Sequence, residues 1–211
     1  MDAAVGEILP GLWRFEAPHP EWTPEDGGEE GWEQSVAWWA VAAAPGLVLV
    51  DPLVVDWTAL DRLVNEHGSC AGIIRTCHWH QRSVAEAAVR YGAEVWAKPA
   101  PSGTASDRFD HAMNDGELVF DTVRVLDVER ADEIALWLPA QAALAFGDAM
   151  LRTSAGDLRR CPASWLQPDG GPARLQAVLS GLDRFPVAHV LVSHGPLVLG
   201  GGPESQVAAT R

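Results

Sequence analysis

The strongest constraint in this chain is positional: four polar sites each stand at the end of an apolar run of strand length. Asp51 closes Leu47 to Val50, and His78 and His80 follow Ala71 to Arg75. Asp148 follows Ala142 to Phe146 through Gly147, and His194 follows His189 to Val192. In α/β folds the loops at strand ends converge on one crevice, so polar residues repeated there point to a shared site. Each residue taken alone has a plainer explanation: a strand-end aspartate forms turns or caps helices, and a lone histidine is commonly a surface or satisfied core residue.

The segments between these sites set the fold class. Leu12 to Phe15 and Ser35 to Ala43 read as strands, and Pro45-Gly46 as a turn. Leu47 to Val50 is continuously apolar, which predicts burial on both faces. Trp57, Leu60, Leu63, Val64 and His67 share one helical face, with Asp56 placed to cap the start and Gly68 to end the helix. Ser83 to Tyr91 reads as a second helix, opened by a Ser83-x-x-Glu86 capping box. Glu94 to Ala97 returns as a strand, so this half is expected to alternate strand and helix as parallel units do. Strand-like runs follow at Leu118 to Phe120, Val123 to Val128, Ile134 to Leu138 and Ala142 to Phe146. A helix is expected over Ala173 to Leu182 and a last strand over His189 to Val192.

With 211 residues the chain suits a single domain over 1–211. The segment from Glu16 to Glu33 holds seven acidic residues and reads as a solvated loop, and the stretch beyond Gly200 as a frayed tail. The net charge of −14 argues against nucleic acid and anionic membrane surfaces as partners. No apolar stretch is long enough to span a membrane, and the first ten residues lack a basic and apolar leader, so a cytoplasmic location is the default expectation. The sequence does not specify an oligomeric state. Cys70, Cys77 and Cys161 match neither a zinc knuckle nor a CxxC pair and read as free thiols. Among ten tryptophans, Trp79 between two histidines is the one expected to line a pocket.

Two imidazoles two residues apart at a strand end can face one metal, and zinc favours such nitrogen donors. The order strand–Asp51-Pro52, helix, strand–His78-x-His80, helix, strand, Gly147-Asp148 and Ser193-His194-Gly195 resembles the metallo-β-lactamase superfamily across nearly the whole chain. That resemblance implies a four-layer αββα sandwich, a site at one edge of two packed sheets, and in most members zinc-dependent hydrolysis.

The chain departs from the family's H-x-H-x-D-H signature, because here it reads His78-Trp79-His80-Gln81-Arg82-Ser83. Arg82 stands at the aspartate position and Ser83 at the last histidine position. The resemblance places Glu129 near the third histidine, Asp148 at the metal-bridging aspartate and His194 at the last second-site ligand. A second metal is disfavoured, since Arg82 removes a ligand and adds a positive charge. The implied set His78, His80, Glu129, Asp148 and His194 can hold at most one zinc or iron(II). The competing expectation is a metal-free pocket in which Arg82 replaces the cation and pairs with Asp148 or a substrate anion. Arginine stays protonated and cannot activate water, so Asp148 and His80 are the acid–base candidates, with Arg82 for charge stabilisation. The resemblance implies a hydrolase-like protein for a small ester, thioester, amide or lactone. The alternative is an inactive or metal-independent ligand-binding protein on the same fold.

Overall fold

The computed structural model describes residues 6–28, 31–99, 108–128, 133–166 and 171–200. Glu129, expected near the site, lies outside these residues, as does 201–211 of the expected tail.

Strands β1 (Gly6–Leu9), β2 (Leu12–Pro18), β3 (Ser35–Ala43) and β4 (Gly46–Val50) are followed by helix α1 (Trp57–Glu66), β5 (Cys70–Arg75) and α2 (Val84–Tyr91). Next come β6 (Val95–Ala97), β7 (His111–Ala112), β8 (Leu118–Val119), β9 (Val123–Asp127), β10 (Ile134–Leu138) and β11 (Ala143–Phe146). The chain closes with β12 (Met150–Arg152), β13 (Leu158–Arg160), α3 (Gly171–Gly181) and β14 (His189–Val192). The first sheet runs β1 to β7 in chain order, and the second runs β14-β11-β10-β9-β8.

Alternation along the strands builds the layers. On β3 and β4, Trp39, Val41, Val48 and Val50 point between the sheets and meet Val125, Leu136 and Ala145. Trp38, Ala40, Leu47 and Leu49 point the other way and pack under Leu60, Leu63 and Val64 of α1 and Val84 and Ala87 of α2. On the far side Leu175 and Leu179 of α3 cover Leu126, Ala135 and Leu144. Three apolar clusters in series are what helix, sheet, sheet and helix layers require, so the architecture is α/β and αββα as expected. Burying each such leucine or valine contributes about 1.5–3 kcal/mol.

The first sheet is less uniform than the expected parallel alternation. β4 through β7 pair in parallel, but β1 to β4 pair antiparallel. β3 and β4 are joined by the short turn at Ala44-Pro45, too short for the crossover that a parallel pair needs. Helix α1 is capped as expected, with Asp56 Oδ1 accepting from the Ala59 N–H at 3.0 Å. The Ser83 capping box does not form: Ser83 has φ −96° and ψ 15°, away from the extended geometry of a capping residue, and its Oγ accepts the Val54 N–H instead. The β12–β13 hairpin was not foreseen, since two three-residue arms carry too few alternations to register as strands.

Candidate active site

The four strand-end sites come together. Asp51, just past β4, is fully buried with φ 50°, a left-handed conformation that aspartate tolerates. Its Oδ1 accepts the Thr76 N–H at 2.8 Å, and its Oδ2 accepts from Thr76 Oγ1 and from His80 Nδ1 at 2.9 Å. Strand β4 is thereby tied to the segment after β5, and the His80 ring is fixed. His80 Nε2 reaches Asp148 Oδ1 at 3.2 Å, and the same oxygen lies 2.9 Å from His194 Nε2. Asp148 Oδ2 accepts the Trp79 indole N–H at 2.5 Å. The result is a buried chain, Asp51–His80–Asp148–His194.

Arg82, with φ 34°, turns its guanidinium into this cluster. Nη1 donates to the carbonyls of Asp51 at 3.1 Å and Ala37 at 3.3 Å, and Nη2 stands 3.2 Å from His80 Nε2. His194 is held by its backbone. Its carbonyl accepts the Arg152 N–H, and Ala37 N–H bonds the neighbouring Ser193 carbonyl. Gly195, at φ 105°, must be glycine, because a Cβ there would lie 2.6 Å from the Arg152 carbonyl oxygen.

Charge follows from this geometry. Burial and the Arg82 cation push His80 down, but Asp51 and Asp148 outweigh them and raise its pKa to about 9. Burial alone would raise Asp148, yet His80 and His194 hold it well below the usual carboxylate range. Asp51 is lowered in the same way, chiefly by His80 against its burial. Burial lowers His194, with Asp148 opposing and Arg82 and His80 assisting, which leaves it neutral at pH 7. With its Nε2–H on Asp148, the lone pair of neutral His194 falls on Nδ1. That atom is buried and has no hydrogen-bond partner among the described residues. Burial, then the nearby carboxylates, push the Cys77 thiol well up, so it is not a resting thiolate.

A pH dependence follows. His80 titrates near 6.5 unfolded and near 9 folded, so its contribution is complete below about pH 6.5 and lost as pH rises through about 9. Denaturation curves at pH 6.5 and 9.5 are expected to differ by about 3 kcal/mol, with the protein weaker at the higher pH. The difference is expected to vanish in His80→Gln. Equal stability of the native chain at both pH values would contradict a charged His80.

Among the described residues, the ligand atoms of Cys77, His80 and Asp148 lie within 4.8 Å of one another. His78, expected as a ligand, is not part of that group; its ring packs edge-on against Trp79 at 4.7 Å. His194 joins through Asp148. Sequence reasoning left out Thr76 and Glu133, which fix Asp51 and Asp148. The strand-end position of Asp51-Pro52 was the available signal for the first; none pointed to Glu133.

A cavity of about 690 Å³ opens beside His194. Its walls include Trp22, Trp32 and Glu33 from the acidic segment, and Arg152 and Arg159 from the β12–β13 hairpin. The acidic segment, exposed to solvent over much of its described length, also forms a wall of this cavity. Arg159 Nη2 donates to the Gly31 carbonyl at 2.5 Å, and the Trp22 indole donates to the Trp32 carbonyl. Of the residues expected around a ligand pocket, His194 lines this one, under the Trp32 ring at 4.9 Å. Trp79 donates its indole N–H to the Asp148 carboxylate.

No family model matches the sequence, and no curated protein matches it. Solved structures do. The chain is similar to the DIM-1 metallo-β-lactamase, with a TM-score of 0.71 at 14% identity over 99% of this chain and 95% of that one. It is also similar to the metallo-β-lactamase IND-7, with a TM-score of 0.67 at 16% identity over 98% and 97% of the two chains. A metallo-β-lactamase from Pontibacter korlensis gives 0.67 at 17% identity over 98% and 96%. The chain therefore has the metallo-β-lactamase fold.

Proposed function

We propose that this chain is a metal-independent hydrolase that takes a small molecule into the cavity at His194 and cleaves an ester, thioester, amide or lactone bond in it. The observation that carries this reading is the His194–Asp148 pair: a neutral imidazole oriented through Nε2 by a buried carboxylate, on a residue that lines the cavity, with its buried Nδ1 left as an acceptor without a partner among the described residues. An imidazole held in this way accepts a proton from an attacking water and returns it to the leaving group, while the carboxylate stabilises the imidazolium. His80 and His194 keep Asp148 ionised for that role. The bond types rest on likeness of fold, which constrains chemistry only broadly.

A resident divalent metal does not fit the donor set. Zinc would sit about 2.1 Å from a histidine nitrogen, yet Arg82 Nη2 already stands 3.2 Å from His80 Nε2. Both His80 nitrogens are engaged, and both Asp148 oxygens accept hydrogen bonds. The charges of His80 and Arg82 offset those of Asp51 and Asp148, and Glu133 adds a further buried carboxyl group beside them.

The test is hydrolysis of p-nitrophenyl acetate, a thioester and a lactone in the presence of a chelator. Turnover is expected to survive the chelator and to fall roughly 10²- to 10⁴-fold in His194→Ala. Turnover that the chelator abolishes, or that His194→Ala retains, would overturn the assignment. A second reading, binding without turnover, is favoured by the burial of His194 Nδ1 beneath Trp32. It is distinguished by saturable binding of these esters with no product.

A further inference from the structure

Glu133 stands at the head of β10 and is fully buried. Its Oε1 accepts the backbone N–H of both Asp148 and Ala149, each at 2.8 Å. Those two residues lie between the end of β11 at Phe146 and the start of β12 at Met150, where the Ala149 carbonyl accepts the Cys161 N–H at 2.9 Å but both N–H groups turn to Glu133. Gly147 completes the turn, because a Cβ at that position would lie 2.5 Å from Thr76 Oγ1 and 3.2 Å from Glu133 Oε1. The turn that presents Asp148 is thus clasped by one side-chain oxygen from the neighbouring strand.

We infer that Glu133 is a positioning residue for Asp148, fixing the backbone so that one carboxylate oxygen meets His80 and His194 and the other meets Trp79. A carboxylate acceptor makes charge-assisted bonds to both amides, which suits a turn that must hold still. A buried acid set so near Asp148 is otherwise unfavourable, since it adds like charge. Its effect on turnover rests on the hydrolase reading above, whereas its effect on the Asp148 geometry does not.

The test compares Glu133→Ala with Glu133→Gln in the full chain. The Trp79 indole N–H resonance, assigned with Trp79→Phe, reports the bond to Asp148. In Glu133→Ala it is expected to move toward the free-indole position, and kcat for p-nitrophenyl acetate is expected to fall at least about tenfold with KM little changed. Glu133→Gln keeps an acceptor oxygen and is expected to restore both. A Glu133→Ala protein that melts lower but keeps the native indole resonance and kcat would overturn the inference. Should Glu133→Ala not fold, amide exchange in the native chain decides. Strong protection at Asp148 and Ala149 supports the clasp, and rapid exchange excludes it. If the native chain hydrolyses nothing, the hydrolase reading fails alone, and the indole and exchange measurements still judge Glu133.

Discussion

Replacing Arg82 by aspartate is expected to give the chain a zinc site. The substitution removes a guanidinium that stands 3.2 Å from His80 Nε2 and supplies a carboxylate from the same position. A positive charge about 5 Å from a divalent ion costs roughly 6–7 kcal/mol at an effective dielectric of ~20. Part of that is lost to relaxation, because the variant also gives up the bonds to the Ala37 and Asp51 carbonyls. A gain in zinc affinity of at least about 100-fold over the native chain is expected, read by competition against a chromophoric chelator. Equal affinity in the two proteins would mean that Arg82 is not what keeps metal out.

The second large effect is expected at Asp148. Asp148→Ala leaves the buried His80 charge with Asp51 as its remaining carboxylate partner, and it strips the His194 Nε2 and Trp79 Nε1 donors of an acceptor. Breaking a buried ion pair from one side costs about 3–5 kcal/mol. The urea midpoint should fall accordingly. Asp148→Asn, which keeps the shape, is expected to lie between the native chain and Asp148→Ala. A loss under about 1 kcal/mol in Asp148→Ala would show that the cluster does not depend on this carboxylate.

Much of the fold was legible in the sequence because burial periodicity is local. Ser35–Ala43, Ile134–Leu138 and His189–Val192 were delimited to the residue, and α1 was placed with its Asp56 cap. The features that escaped depend on distant neighbours. The antiparallel entry of β1 to β3 into the first sheet is decided by pairing, which periodicity does not encode. Ser83 looked like a helix cap in sequence, but its hydroxyl is claimed by Val54, which the fold brings to it.

The site was half legible for the same reason. His80, Asp148 and His194 were named from their strand ends and do meet, and His78, two residues from His80, packs edge-on against Trp79. Arg82 was identified as the substitution that matters, but its partners are two backbone carbonyls and the His80 edge rather than a carboxylate reached by its fork. Glu133 carried no signal, because its role lies in two backbone amides fifteen and sixteen positions away.

We propose that buried side-chain charge replaces metal at the His80–Asp148–His194 site. The most direct test of this is the metal content of protein purified without chelator, followed by a zinc titration of the native chain and of His80→Ala. The expected result is no stoichiometric metal, no saturable zinc binding that depends on His80, and turnover unchanged by added zinc. One equivalent of tightly held zinc in the native chain, lost in His80→Ala, would contradict it.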